Sequence, residues 1–234
     1  MDPGNPAPPT TRLVLVRHGE SRGQQGRFVA GHDGCKGLSE LGQSQVAALR
    51  DRLAATGELG TDVVLYASVM PRAVQTASII APALGGPEVH RECDLCEFHP
   101  GIGDGMSWEE FDARFPRPPD GTWDPDYRRV PGGDTWNEMT ARVGGAIDRL
   151  LAEHQGCTIV VACHGGPIVQ VLMRFLAIDP GDRSRPRAWL NPENASLTEL
   201  RQGVSPYQSG MMDWELVRFN DVAHLAGAGD LVTR

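Results

Sequence analysis

The 234-residue sequence is almost without lysine: Lys36 is the single one, and arginine supplies the rest of its 22 basic residues. Its cationic resource is therefore the guanidinium, a permanently charged fork suited to phosphate and carboxylate. Positive charge is also in overall deficit. A formal net charge of −8 argues against a general nucleic-acid or membrane-surface binder, so an anionic ligand has to be drawn by a local pocket in an acidic body. No run of about 18 apolar residues occurs, so no segment reads as a membrane-spanning helix. The Pro-rich start, residues 1–10, lacks the charged-then-apolar pattern of a signal peptide and reads as a disordered lead-in. Five cysteines, an odd number without a framework, suit a reducing compartment and predict a cytoplasmic protein. Neither an internal repeat nor an interdomain linker is evident.

What is present is organised around Leu13 to Ser21, Leu-Val-Leu-Val-Arg-His-Gly-Glu-Ser. Four apolar residues in a row read as a strand buried on both faces. Ligands of open α/β sheets bind at the carboxyl ends of strands, where Arg17 and His18 fall, with Gly19 allowing a close turn. Residues 23–37 have no helical or alternating period and read as a loop above the sheet, with Gln24 and Arg27 within reach of a ligand. A helix follows from Ser39 to Gly57, then a strand at 62–67. Pro71 suits the first turn of the next helix, so Arg72 lies at a helix N-terminus, a favourable place for an anion. Residues 88–92 read as a short strand. The Pro- and Gly-rich stretch 93–133 is long enough to predict a functional lid. Capping boxes at Ser107–Glu110 and Thr135–Glu138 start two helices. A second buried strand, 158–163, ends in His164-Gly-Gly-Pro167, where Pro167 opens a helix to Leu176, and residues 194–200 and 213–220 read as final strands. Strands alternating with helices predict a single-domain, three-layer α/β/α fold with a mainly parallel central sheet over residues 11–222, the lid inserted at 93–133 and a C-terminal tail at 223–234.

Two histidines and two arginines at the mouths of different strands and helices make an anion site on chemical grounds. Arginine meets phosphate with paired hydrogen bonds, and a neutral histidine can be nucleophile, acid or base. The plainer alternative is a set of polar surface residues at strand ends. His90, Cys93, Cys96 and His99 offer the donors of a structural zinc site. Four ligands within ten residues are cramped, however, and the sequence is read as holding no metal and needing no cofactor. A labile Cys93–Cys96 disulfide and plain partly buried cysteines are the other readings. In the lid, Arg114, Arg117, Arg128 and Arg129 could meet a second acidic group or simply solvate the surface. Trp108 and Trp123 could pack on a leaving group or be buried for stability.

Arg17-His-Gly-Glu-Ser resembles the signature of the histidine phosphatase superfamily, the phosphoglycerate-mutase-like enzymes. Other segments are similar in order: Ser68-Val-Met-Pro-Arg-Ala-Val-Gln-Thr76, Leu95-Cys-Glu97 followed by Gly101 and Gly105, Pro131-Gly-Gly-Asp-Thr135 and His164-Gly-Gly. The resemblance implies His18 as nucleophile, Arg17, Arg72 and His164 as phosphoryl ligands and Glu97 as acid, with Glu92 and Glu109 as nearby alternatives. The implied reaction is metal-independent hydrolysis of a small phosphorylated metabolite through a phosphohistidine. Gln24 and Arg27 are added as substrate-binding candidates. A mutase, which returns the phosphoryl group to a bound product, would use the same residues, and a non-catalytic binding module is a further alternative. Homodimerisation is the family's habit, and neither nucleic acid nor membrane is expected as a partner. Gln24 where an Asn is common, Gly103 where an aromatic is common and a longer 33–38 stretch depart from the family pattern around the substrate pocket.

Overall fold

The computed structural model describes residues 10–178, 189–207 and 211–226; the lead-in up to residue 9 and the tail beyond 226 lie outside them. Strands β1 (Arg12–Arg17), β2 (Val63–Ser68), β3 (Val89–Glu92), β4 (Thr158–Cys163), β5 (Leu197–Val204) and β6 (Met212–Asp221) form one sheet in the order β3-β2-β4-β1-β5-β6. The first four are parallel, while β5 runs antiparallel to β1 and β6 antiparallel to β5.

The two-faced strands are explained by their alternation. Val14 and Val16 of β1, with Val160 and Ala162 of β4, join a cluster completed by α2 (Glu40–Thr56) and α3 (Pro71–Ile80). Leu13 and Leu15, with Ile159, Val161 and Cys163, point the other way into a cluster with α5 (Trp136–Glu153) and α6 (Gly165–Phe175). Successive side chains on a strand face opposite sides, so each apolar run supplies both cores. Two helices on each face make the three layers.

Register then sets the site. Arg17 lies opposite Cys163, and Ala67 opposite Ala162, so the residues following β1, β2 and β4 emerge side by side at one edge. The sheet's carboxyl end therefore gathers His18, Ser68 and His164.

Some elements differ from expectation. Residues 23–37 are not all loop: Ser21 caps a five-residue helix, α1 (Arg22–Gly26), through a capping box with Gln24. β5 begins at Leu197 rather than at 194, because Ala195 N–H bonds to His18 O at 3.2 Å and Ser196 O accepts from Arg17 N–H at 3.1 Å. α6 starts at Gly165, with Pro167 inside its first turn, where a missing N–H is tolerated. In 93–133, α4 (Trp108–Arg114) is the one α-helix among the described residues, and the segment is tied to its own end by a bridge between Pro100 and Gly133. Among the described residues no helix is long and apolar enough to cross a membrane.

Candidate active site

His18 sits directly after β1, nearly fully buried, and its Nδ1 lies 2.6 Å from the Gly19 carbonyl oxygen. A carbonyl only accepts, so Nδ1 carries the proton and donates it there, leaving Nε2 with a lone pair. Arg72 Nε donates to that Nε2 at 3.1 Å, which fixes the same tautomer independently. Burial, followed by the charges of Arg72 and Arg17, holds the His18 pKa well below the ordinary histidine value. The ring is thus neutral with its nucleophilic nitrogen uncapped by a proton.

Arg72, at the second position of α3, is placed by Pro71 at the helix start. Its Nε also reaches His164 Nδ1 at 3.1 Å, while its Nη1 donates to Ala30 O at 2.7 Å and lies 3.4 Å from Cys35 Sγ. Because His164 Nδ1 accepts, its Nε2–H donates to Ser68 Oγ at 2.6 Å. His164 is 0% exposed, and its pKa is pushed well down by burial and then by Arg72. Its ring meets that of His18 edge-on, centroids 5.1 Å apart.

Arg17 ends β1 and donates through Nη1 to Pro192 O, but its Nε is buried without a partner among the described residues. Burial pulls its pKa down and Glu97 opposes the shift, which leaves a charged donor with unspent hydrogen-bonding capacity. Glu97 is held from both sides: Oε2 accepts from Gly166 N–H at 3.0 Å and Oε1 from Phe98 N–H at 3.1 Å. Gly166 belongs to the first turn of α6, where unpaired amides and the helix dipole favour a carboxylate. An added Cβ there would collide with Glu97 Oε1 and Met139 Cε, so the close approach requires glycine.

Arg17, His18, Arg72 and Glu97 open onto a cavity of about 900 Å³. Its outer wall carries Phe28, Trp108, Phe111, Trp123 and Tyr127, together with Arg117 and Arg129. An apolar wall over a cationic floor can hold the organic part of a phosphorylated molecule while charge grips the phosphate. Of the lid arginines, Arg129 is committed to Asp112 and Phe115 O, and Arg128 to Glu138.

The five residues implied as catalytic thus converge, with His164 behind rather than on the cavity surface. Gln24 lines the cavity, but its amide is engaged by Ser21 N–H at 3.0 Å and by Asn194 Oδ1 at 3.1 Å. Arg27 is not on the cavity wall; it ends α1 with φ 55° and stacks over the Trp108 ring at 5.1 Å. Sequence reasoning missed Ser68, Gly166 and Asn194, whose Nδ2 donates to His18 O at 3.0 Å. Ser68 at a strand end was the one visible signal among them.

This fold and cluster are those of a phosphate-handling α/β enzyme, and comparison names the class. The model of the histidine phosphatase superfamily, branch 1, matches residues 13–221. The chain belongs to that superfamily and is a phosphatase enzyme of it. It is 27% identical over 94% of its length to a metal-independent phosphoserine phosphatase of Arabidopsis thaliana, covering 86% of that protein. It is 32% identical, over 81% of its length, to the bifunctional protein Rv2228c of Mycobacterium tuberculosis, of which it spans about half. The solved mycobacterial glucosyl-3-phosphoglycerate phosphatase superposes with a TM-score of 0.72 at 25% identity, covering 90% of this chain and 99% of that one.

Proposed function

We propose that the protein hydrolyses a small phosphate monoester through a phosphohistidine on His18. The observation that supports this most is the His18 tautomer: Nδ1–H bound to Gly19 O at 2.6 Å and an unprotonated Nε2 that accepts from Arg72 at 3.1 Å, at a cavity floor shared with Arg17. Nε2 attacks phosphorus, the P–N bond forms and the ester P–O bond breaks, with the proton of a phosphate monoanion passing through Glu97 to the departing alkoxide. Glu97, now a carboxylate, takes a proton from water, whose oxygen attacks phosphorus; the P–N bond breaks and phosphate leaves. Arg17 and Arg72 neutralise the charge on the phosphoryl oxygens, where most of phosphoryl-transfer catalysis resides. His164, behind the cavity surface, keeps Arg72 aimed by accepting its Nε–H at 3.1 Å. The protein's own arginines supply the charge, so no catalytic metal is invoked.

Release to water rather than to a bound product is the reading favoured by the phosphatase relatives, and a substrate with a second acidic group suits the cavity wall and Arg117. All five cysteines are free, which agrees with a cytoplasmic location. Hydrolysis of a generic aryl phosphate by wild type and His18→Ala tests the proposal. Phosphate release by wild type, none by the variant, and an acid-labile phosphoryl adduct lost with His18 are expected; equal activity in both proteins would remove His18 as nucleophile.

A further inference from the structure

Next to the catalytic cluster, His32, Cys93, Cys96 and His99, the last of which also lines the cavity, bring one ligand atom each within 4.8 Å of one another. The compact set considered from sequence used His90. In the structure His90 packs on Tyr66 instead, ring centroids 5.1 Å apart, and His32 arrives from a loop about sixty residues upstream. The cramping that weighed against the compact set is thereby relieved, because a distant ligand closes the site.

Two of the ligand-to-ligand distances already match a tetrahedral centre, and the whole set lies within 4.8 Å. Zn–S of about 2.3 Å and Zn–N of about 2.0–2.1 Å put neighbouring ligand atoms roughly 3.3–3.8 Å apart. His32 Nε2 lies 3.7 Å from Cys93 Sγ and 3.7 Å from Cys96 Sγ. The fourth ligand carries an independent sign. His99 Nδ1 pairs with Asp134 Oδ1 at 3.1 Å, while its Nε2 is buried with no partner among the described residues. Asp134 is held in turn by Arg142 Nη2 at 2.7 Å. A carboxylate that fixes one imidazole nitrogen so that the other faces a metal is the usual outer support of a zinc-binding histidine. The rings of His32 and His99 lie 4.9 Å apart, as two ligands of one ion can.

We propose that His32, Cys93, Cys96 and His99 bind one zinc ion in a structural site that fastens the His32 loop to the segment carrying Glu97. Two sulfurs and two imidazoles select zinc over hard cations such as magnesium or calcium, and four protein ligands leave no position for substrate. The ion clasps both sides of the catalytic floor: Ala30, two residues before His32, accepts from Arg72, and Glu97 lies two residues before His99. Binding releases the thiol protons to solvent as the thiolates form.

The test is the zinc content of the full chain, purified and reconstituted with zinc under reducing conditions, together with the sulfur-to-metal absorption of its cobalt(II) form. One zinc per chain is expected in wild type and in His90→Ala. His32→Ala and Cys93→Ser, both at exposed positions, are expected to lose it while keeping the wild-type circular dichroism spectrum. Asp134→Asn is expected to weaken zinc binding by about tenfold to a hundredfold. Failure of the wild type to take up stoichiometric zinc, retention of zinc by His32→Ala and Cys93→Ser, or a Cys93–Cys96 disulfide in its place would overturn the proposal. None of these readouts depends on turnover, so the phosphatase reading stands or falls separately.

Discussion

Glu97 owes its place to two backbone amides and to the missing side chain of Gly166. An acid held this way is needed when the leaving alkoxide is basic and matters little when it is an aryloxide. Glu97→Gln is therefore expected to lower kcat by about 10²–10⁴ on an alkyl phosphate and far less on a nitrophenyl phosphate, read by comparing the two substrates. The legible and illegible parts of the site divide along the same line. His18, Arg17, Arg72 and His164 announce themselves because each ends a strand or opens a helix in the sequence itself. Gly166 and Asn194 act through a backbone N–H and a bond to another residue's carbonyl, which no local pattern encodes. Arg27, a charge in a glycine-rich stretch, lies off the cavity wall in the structure, its guanidinium over the face of Trp108, which does line it.

Among the elements, the strands were readable where burial on both faces gives a continuous apolar run, as in β1 and β4. α1 was not, since five polar and glycine residues carry no period and its existence rests on the Ser21–Gln24 capping box. Residues 93–133 read as loop-rich from their Pro and Gly content, but which of their arginines face the cavity depends on their partners. Arg114 is absent from the wall and stacks near the Phe115 ring, 5.6 Å from its centroid. Arg117 lines the cavity and has no ion-pair partner among the described residues. Arg117→Ala is expected to raise KM about tenfold or more for a phosphate ester bearing a second acidic group, the size of a charged hydrogen bond. Neither kcat nor KM for an aryl phosphate without a second acidic group is expected to change, and steady-state kinetics on both substrates check this.

For the molecule as a whole, the price of an unprotonated nucleophile appears at acid pH. Burial lowers the folded-state pKa of His18 and His164, and that of His224 to about 4, whereas unfolded histidine titrates near 6.5. Below that value the unfolded chain binds protons that the folded one refuses. Stability is hence expected to be level between about pH 7 and pH 8 and to fall as pH drops below that, by about 1.4 kcal/mol per pH unit for each such proton. Urea unfolding at pH 7.5, 6 and 5 measures the slope, and His18→Ala is expected to flatten it by about one proton.

Lys36 is exposed and donates to Asp33 O at 3.2 Å in the loop that also bears His32 and Cys35. A protease that cuts only after lysine meets a single bond in this sequence, Lys36–Gly37. Cutting requires local opening of the segment that lends Ala30 O to Arg72. The rate of this one cleavage, followed by mass spectrometry, thus becomes a clock for the floor of the active site. Zinc and inorganic phosphate are each expected to slow it, and a rate indifferent to both would mean that the loop opens without regard to either site.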